Sequence, residues 1–303
     1  MPSWQSYLVH PFLRFYVKRR LARANSATAA RAALGYPLPA MPGARFTPDM
    51  QGGVPGEWVR GQTPPGATVL YIHGGGYFTC SPATHRSITS AIALRGFAVY
   101  APDYRLAPEY PFPAAVEDVL AAYRALIAQT PPERLVIAGD SAGGGLALAV
   151  LLAARAENLA LPACVILFSP WTDLACTGPS LRSNAERDSM FHAPRLTDAA
   201  ANYLAGADPQ NPLASPLYGD LAGLPPMLIQ VSEMEVLLDD STRLAASARA
   251  AGVAVSLTIW ANLPHAWQVS QGLLPEAREA LDEAVIFAKS ALASPLASGA
   301  VPA

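Results

Sequence analysis

The chain has 303 residues, of which 51% are hydrophobic and 15% are charged, and its formal net charge is −2. This composition is typical of a globular protein with a substantial core. It excludes extensive disorder and recognition of nucleic acid through an overall basic field. The three cysteines, Cys80, Cys164 and Cys176, form no Cys-x-x-Cys motif or Cys/His cluster, so neither a disulfide framework nor a zinc site is expected.

The N-terminal ~40 residues predict amphipathic helices with a break at Pro11, because apolar side chains recur there near helical spacing. These side chains are Trp4, Tyr7, Leu8, Phe12 and Phe15. A basic group follows, made of Lys18, Arg19, Arg20 and Arg23. We interpret this group as the solvated face of a helix, with a membrane or acidic-partner site as the alternative. Basic residues after apolar ones reverse the order of a signal peptide, and no apolar stretch reaches spanning length. We therefore expect a cytoplasmic protein without integral membrane association.

After a Pro-rich linker at residues 35–43, strand-like and helix-like runs alternate along the chain. The predicted strands are residues 67–73, 97–102, 135–139, 164–169, 227–232 and 255–260. The predicted helices are residues 87–94, 114–128, 142–156, 238–251 and 276–292. This alternation predicts an α/β fold with a mostly parallel central sheet and helices on both faces.

Residues 177–225 break this rhythm, because no strand is predicted there and only a helical piece at 195–205 interrupts Pro/Gly-rich turns. An insertion of this length after a strand usually lies over the sheet. We therefore expect residues 1–42 and 177–215 to form a helical cap. The cap would cover a main domain of residues 43–176 and 216–292, followed by a flexible tail at 293–303.

A sharp strand-to-helix turn is predicted at residues 139–143, which read Gly-Asp-Ser-Ala-Gly. The central residue of such a turn is strained, and its neighbours two positions away must be small, as Gly139 and Gly143 are. The turn exposes the Ser141 hydroxyl at the carboxyl edge of the sheet. It also places the Ala142 N–H at a helix N-terminus, where a developing negative charge is favoured. The pattern predicts a nucleophilic serine, with a plain glycine turn as the alternative.

A second glycine motif, His73-Gly74-Gly75-Gly76, directly follows the first predicted strand. Without Cβ atoms, glycines let the backbone approach a ligand closely. We predict that the N–H groups of Gly75, Gly76 and Ala142 form an oxyanion hole, with Gly74 a less suitable donor. His73 is interpreted as a structural residue that braces this loop rather than as a catalytic base.

Together these motifs resemble the α/β-hydrolase fold, and more narrowly the hormone-sensitive-lipase family of bacterial esterases. The resemblance is carried by residues 73–76 and 139–144, by DYRLAPEYPFPAAVEDV at 103–119 and by SPWTDL at 169–174. It spans roughly residues 69–267. The resemblance implies hydrolysis of a carboxylic ester, a helical cap over the site, and no metal or organic cofactor.

A nucleophilic serine needs a neutral imidazole to take its proton, and in this fold the chain order is serine, acid, histidine. Two histidines follow Ser141. His265 lies just after the last predicted strand, where the fold delivers its base, and we predict that it is the general base. His192 lies in the expected cap and is interpreted as cap surface.

The catalytic acid is expected after the strand at 227–232, where the candidates are Glu233, Glu235, Asp239 and Asp240. The family usually has Asp followed by Pro-Leu. Aligned on the sequence VLLDD, the resemblance assigns the acid to Glu235, so this chain departs from the pattern with Glu for Asp and Val236 for Pro. Asp239 is the runner-up, but an acid in the first turn of a helix already complements the helix dipole.

Charged residues near the motifs predict a polar network that holds the glycine motif and the serine turn in place. These residues are Asp103, Arg105, Glu109, Glu117, Asp118 and Asp140. We predict that Tyr77, Phe78 and Trp267 line the substrate cleft, with packing in the core as the alternative for each. Trp171 is interpreted as a packing residue.

The predicted activity is hydrolysis of short- to medium-chain acyl esters through an acyl-enzyme, with Ser141, His265 and Glu235 as the triad and a small-molecule ester as the substrate. A deacetylase or amide hydrolase is the alternative, because fold and triad do not define the leaving group. A non-catalytic ligand-binding homologue, as in the plant gibberellin receptors that resemble this family, is disfavoured by the presence of His265. No nucleic-acid partner is expected, and the sequence leaves open whether the chain forms a homodimer.

Overall fold

The structure is a computed structural model that describes residues 2–24 and 27–293. Its strands are β1 Arg45–Gln51, β2 Val54–Arg60, β3 Ala67–Ile72, β4 Phe97–Pro102, β5 Leu135–Asp140, β6 Cys164–Phe168, β7 Met227–Ser232 and β8 Val255–Trp260. Its α-helices are α1 Trp4–Leu13, α2 Arg19–Arg23, α3 Ala27–Leu34, α4 Arg86–Leu94, α5 Ala114–Ile127, α6 Ala142–Ala156, α7 Ser180–Ser183, α8 Ala193–Leu204, α9 Leu238–Ala250 and α10 Pro275–Ala293. Within these described ranges, no helix has the length and apolar character needed to cross a membrane.

The eight strands form one sheet in the order β1-β2-β4-β3-β5-β6-β7-β8. β2 runs antiparallel to its neighbours β1 and β4, and every other neighbouring pair is parallel. The predicted α/β fold with a mostly parallel sheet is confirmed, and all six predicted strands form. β1 and β2 add a hairpin at one edge, joined by Gly52 and Gly53 with φ values of 60° and 81°.

Helices cover both faces of the sheet, as predicted. Side chains of β3 alternate between the two faces: Leu70 and Ile72 pack into the cluster that contains α5, α6 and α9. Val69 and Tyr71 pack into the opposite cluster, which contains α4 and α10. Every residue of β3, β4, β5, β6 and β7 is buried, as expected for parallel strands that have helices on both sides.

The N-terminal helices differ from the prediction at Pro11, where no break occurs. α1 continues through Pro11, and a π-helix at Arg14–Lys18 joins it to α2. Proline removes one N–H from the helical ladder, and the Arg14 N–H bonds the carbonyls of His10 and Pro11 so that the helix continues. At the other end, α10 extends to Ala293, and the rest of the predicted tail lies outside the described residues.

The parallel arrangement decides where chemistry can take place. Because β3, β5, β6, β7 and β8 run in the same direction, the loops after them meet at one edge of the sheet. Those loops carry the glycine motif, Ser141, Glu235 and His265. The insertion at residues 177–215 contributes α7 and α8 between β6 and β7, and its contacts with these loops are described below.

Candidate active site

Ser141 occupies the sharp turn between β5 and α6. Its φ of 53° and ψ of −124° are strained for a residue with a side chain, a state that costs about 1–3 kcal/mol and is typical of functional turns. Flanking glycines make the turn sterically possible. A Cβ on Gly143 would lie 2.1 Å from the Ile72 carbonyl oxygen, and one on Gly139 would lie 2.5 Å from that of Gly143. The Ser141 N–H also donates to the Phe168 carbonyl at 2.9 Å.

Glu235 and His265 form a buried pair, with 2.6 Å between Oε2 of the glutamate and Nδ1 of the histidine. The other carboxylate oxygen, Oε1, accepts the Ser232 N–H at 2.7 Å and the Ser169 hydroxyl at 2.8 Å. A carboxylate only accepts hydrogen bonds, so Nδ1 of the ring carries a proton. In the neutral ring, Nε2 is therefore the basic nitrogen.

The Nε2 atom of His265 is buried and has no hydrogen-bond partner among the described residues. No hydrogen bond joins it to the Ser141 hydroxyl here. In unliganded sites such bonds are often long, and they tighten when substrate binds. Ser169 links the Glu235 loop to the His265 loop, because its hydroxyl donates to Glu235 and accepts the Ala266 N–H at 3.1 Å.

Opposing effects act on the pKa of His265. Burial lowers the pKa, whereas the charge of Glu235 and the hydrogen bond to it raise the pKa, and Asp188 and Asp140 add smaller contributions in the same direction. The net result is a pKa above the ordinary histidine value. The ring therefore becomes an effective base at a higher pH than a free histidine does.

Gly75 and Gly76 form a tight turn after β3, with φ values of 115° and 61°. A Cβ on Gly75 would lie 2.2 Å from a backbone carbonyl oxygen, so a side chain does not fit there. Within the described part of the chain, the N–H groups of Gly75, Gly76 and Ala142 have no intramolecular acceptor. The Gly74 N–H, in contrast, donates to Asp140 at 3.1 Å. The three unpaired donors are the ones predicted for the oxyanion hole.

Asp140 connects the glycine motif to the serine turn. Its carboxylate accepts the Tyr71 hydroxyl at 2.8 Å and the Gly74 N–H, and it lies 3.3 Å from Nε2 of His85. Burial raises the pKa of Asp140, but the charge and hydrogen bonds of its partners outweigh burial and lower the pKa overall. Asp140 therefore remains charged in a bracing role.

His73 has a structural position, as interpreted from the sequence. Its Nδ1 contacts the Gly74 carbonyl at 2.7 Å, and its ring stacks on Tyr104 with 4.3 Å between centroids. The Tyr104 hydroxyl donates to the His73 carbonyl at 2.7 Å. Burial lowers the pKa of His73 to about 3, so the ring stays neutral and makes a weak base.

Five of the six charged residues predicted to brace this region do not hydrogen-bond to the glycine motif: Asp103, Arg105, Glu109, Glu117 and Asp118. Arg105 instead forms ion pairs with two acids of α5, because it faces that helix. Glu109 pairs with Arg31 of α3, and Arg31 donates to the Phe78 carbonyl at 2.7 Å. The N-terminal helices thus supply a brace that no sequence pattern predicts.

The three aromatic residues predicted to line the cleft have different surroundings. Phe78 is partly exposed. Tyr77 is buried and stacks on Tyr203 of α8, with 3.9 Å between ring centroids. Trp267 is fully buried in a separate cluster with Leu263 and residues of α1 and α10. The prediction for Trp267 is therefore corrected to its alternative, a role in the core, because its ring fills the space under α10.

The insertion contributes contacts to the Glu235 loop and to His265 that were not predicted from the sequence. Asn184 donates to the Glu235 carbonyl at 2.8 Å, and Asp188 accepts the N–H of the residue after Glu235 at 3.0 Å. Phe191 packs edge-on against the His265 ring, with 4.8 Å between centroids. These contacts join residues distant in sequence, and no local pattern marks them. His192, one residue further, is exposed.

The other candidate acids have different partners. Asp239 accepts a backbone N–H at the start of α7 at 2.6 Å. Asp240 accepts two backbone N–H groups of the loop after β6, at 2.7 and 2.9 Å. Glu233 forms a surface ion pair with Arg187. Among the four candidates, Glu235 is the one hydrogen-bonded to His265.

The chain is similar in sequence to known hydrolases. A family model described as "alpha/beta hydrolase fold" matches residues 69–269. An acetyl-hydrolase of Streptomyces hygroscopicus is 48% identical over 78% of this chain and 79% of its own length.

Two solved structures are also similar over almost the whole chain. EstE5, in crystals soaked with p-nitrophenyl butyrate, is 40% identical with a TM-score of 0.92, covering 96% of this chain and 100% of that one. An esterase described as coming from the bacterial hormone-sensitive lipase family is 40% identical with a TM-score of 0.90, covering 96% and 99% of the two chains.

Proposed function

We propose that this carboxylic-ester hydrolase, which belongs to the hormone-sensitive-lipase family of the α/β-hydrolase fold, cleaves short- to medium-chain acyl esters with Ser141, His265 and Glu235 as its triad. The observation that carries the proposal is the buried hydrogen bond between Glu235 and Nδ1 of His265. That bond fixes the tautomer in which Nε2 is free to take a proton.

In the first half of the reaction, Nε2 of His265 takes the proton of Ser141 as its oxygen attacks the ester carbonyl. The tetrahedral oxyanion is held by the unpaired N–H groups of Gly75, Gly76 and Ala142. Each such donor contributes roughly 10²–10³ in kcat in comparable enzymes. The protonated imidazole, stabilised by Glu235, then donates its proton to the leaving alcohol and an acyl-enzyme forms.

In the second half, water takes the place of the alcohol. His265 takes a proton from the water as it attacks the acyl-enzyme carbonyl, and the same N–H groups hold the second oxyanion. The proton then passes to Ser141 as the carboxylic acid leaves. Glu235 keeps its charge throughout, and its role is to orient and stabilise the ring.

The preference for short acyl chains rests on packing next to the serine turn. Tyr77 and Trp171 are fully buried there. A Cβ on Gly145, in the first turn of α6, would lie 2.1 Å from the Trp171 carbonyl oxygen and 2.9 Å from the Tyr77 hydroxyl. The first turn of α6 is thus tightly packed against two large aromatic residues. The descriptions of two relatives support a preference for short acyl chains. One relative is an acetyl-hydrolase, and crystals of another were soaked with a butyrate ester.

The test is a Ser141→Ala variant assayed with p-nitrophenyl esters from acetate to laurate. We expect the variant to lose turnover and keep its thermal unfolding midpoint, because the hydroxyl makes no hydrogen bond to any other residue that the structure describes. Ser247→Ala, on the exposed side of α9, is the matched control and should keep wild-type kcat. A Ser141→Ala variant with wild-type activity would rule out the triad. A wild-type enzyme that prefers laurate to butyrate would rule out the chain-length preference.

We also propose that residues 1–42 and 177–215 act as a helical cap over a catalytic domain of residues 43–176 and 216–292. Hydrogen bonds from three side chains support this division. Arg14 and Lys18 donate to carbonyls of the insertion, and Arg195 of the insertion donates to the Ala22 carbonyl. The cytoplasmic location remains a prediction from the order of apolar and basic residues at the N-terminus.

A further inference from the structure

Helix α1 has its apolar side directed toward solvent. Six large apolar side chains, between 43% and 69% exposed, recur along one face of α1 and the following π-helix: Trp4, Tyr7, Leu8, Phe12, Phe15 and Tyr16. Their spacing of three and four residues makes one continuous stripe. A surface helix normally buries such a stripe. We call these six residues the apolar stripe.

The opposite face of α1 packs Val9 into the cluster around Trp267 and is fastened to the protein by hydrogen bonds of its polar side chains. Ser6 accepts from Asn262 at 3.1 Å, and the buried ring of His10 bonds the Ser189 hydroxyl at 3.0 Å. The Ser3 hydroxyl donates to Glu276 at 3.0 Å. Because these polar groups anchor the helix, rotating it to bury the apolar stripe would break all three contacts. Exposure of the stripe is therefore built into the fold.

The apolar stripe continues into a strongly basic segment. Residues 2–24 contain five basic residues, Arg14, Lys18, Arg19, Arg20 and Arg23, and no Asp or Glu, although the whole chain has a net charge of −2. Among the described residues, none of the five forms an ion pair. Arg19 and Arg20 lie over the rings of Phe15 and Tyr16, at 5.2 and 5.6 Å from the centroids.

A groove runs beside the apolar stripe. It has a volume of about 480 Å³, and its lining includes Arg14, Lys18 and Arg19, with Glu186 as the acidic residue among those that line it. The side chains of Arg14 and Lys18 donate to uncharged carbonyl oxygens, so carboxylates do not neutralise them. The groove therefore offers a cationic surface directly next to exposed aromatic rings.

We propose that the apolar stripe docks this enzyme on an anionic phospholipid surface, with α1 lying in the plane of the interface. Aromatic side chains favour the headgroup level of a bilayer, and basic residues beside them are attracted to anionic lipid. A second copy of the chain is a poorer binding partner for the apolar stripe. Symmetric pairing would bring two basic segments together without an acidic residue in either. The inference concerns binding and does not depend on the proposed triad.

Binding is tested by co-sedimentation of the full chain with phosphatidylcholine vesicles that contain either no anionic lipid or about one-third phosphatidylglycerol. We expect binding to the anionic vesicles that weakens as salt is added, since the charge attraction is screened. Arg19→Gln/Arg20→Gln/Arg23→Gln should weaken binding by about 100-fold, because each basic residue near such a surface contributes about fivefold. Quenching of Trp4 by brominated lipid, absent in Trp4→Phe, would show that the apolar stripe faces the bilayer.

A triple variant, Trp4→Ser/Phe12→Ser/Phe15→Ser, should lose vesicle binding and keep wild-type kcat on a soluble ester. The matched control is Leu273→Ser/Ile286→Ser, which removes two apolar side chains of similar exposure elsewhere, at 61% and 69%. That control should bind as the wild type does. The proposal is wrong if wild-type protein does not sediment with anionic vesicles, or if the triple variant binds equally well. A dimer in light scattering that the triple variant abolishes, without vesicle binding, would assign the apolar stripe to a second copy and also overturn it.

Discussion

The Glu235→Gln variant should hold His265 in the wrong tautomer. In the wild type, Oε1 of Glu235 accepts both the Ser232 N–H and the Ser169 hydroxyl, and Oε2 accepts Nδ1 of His265. Glutamine replaces one of these oxygens by an NH₂ group. If the NH₂ group faced Ser232, two donors would meet in a buried site, which costs about 1–3 kcal/mol. The amide oxygen is therefore expected at the Oε1 position.

The NH₂ group then faces Nδ1 of His265, which has to accept a hydrogen bond. The ring proton moves to Nε2, and Nε2 can no longer take the proton of Ser141. A cost of about 1–3 kcal/mol favours this arrangement by roughly 5- to 150-fold. In a serine protease, the equivalent change lowers kcat by about 10⁴. The amide also lacks the charge that stabilises the protonated ring, so we expect kcat to fall by about 10³–10⁴ in total, with little change in thermal stability.

The assay is kcat for p-nitrophenyl butyrate across pH, together with ¹⁵N chemical shifts that report which ring nitrogen of His265 is protonated. Glu235→Asp is the control, because it keeps the charge and both acceptor oxygens. It should retain at least about tenfold more activity than Glu235→Gln. The loss of charge in Glu235→Gln should also lower the pKa of His265, so the acid limb of activity moves to lower pH. A folded Glu235→Gln enzyme with kcat within about tenfold of the wild type would refute this reasoning.

Wild-type kcat/KM should rise with pH through a midpoint above about 6.5. The reason is that the pKa of His265 is raised and the ring acts as a base only when neutral. A midpoint below that value in a pH–rate profile would contradict the assignment of His265 as the base. Gly143→Ala should lower the free energy of unfolding by about 3 kcal/mol or more. Gly272→Ala is the control and should have little effect, because a Cβ there meets nothing within 4 Å. Equal melting temperatures of the two variants would contradict this prediction and show that the serine turn adapts. Asp188→Asn should lower kcat about tenfold and move the acid limb of the pH–rate profile to lower pH. The reason is that Asp188 positions the Glu235 loop and raises the pKa of His265. An unchanged pH–rate profile would leave Asp188 with a merely structural role.

The parallel core was predictable from the sequence, and the edge hairpin was less so. β5 is a continuous apolar run that ends in Gly-Asp, and β7 is an apolar run interrupted by Gln230, so both show a strong strand pattern. β1 contains Pro48 and exposes most of its residues, so it has neither an uninterrupted run nor an alternating pattern. Proline is tolerated there because β1 is an edge strand paired on one side only. The Gly52-Gly53 pair was a hairpin signal that the sequence did contain.

For the candidate site, the sequence was sufficient where backbone geometry dictates the residue. Gly143 and Gly75 have to be glycine because a Cβ would overlap backbone atoms, and such positions leave recognisable motifs. The contacts of Asn184 and Asp188 with the acid loop leave no such motif. They depend on the folded path of the insertion, and many polar side chains in a sequence could make them. Trp267 shows the converse, because its position after His265 did not reveal that its ring points into the core.

One segment, residues 184–191, contacts both the helix that carries the apolar stripe and the loop of Glu235, the proposed triad acid. Lys18 donates to two carbonyls of this segment at 2.7 Å, and His10 bonds the Ser189 hydroxyl. On its other side, the same segment holds the acid loop through Asn184 and Asp188. The face of α1 that carries His10 therefore points inward, toward the segment that contacts the Glu235 loop, and the aromatic face is left outside. Substitutions on the outer face should leave catalysis on soluble esters intact, whereas His10→Ala should lower kcat, because it loosens the segment that orients the acid.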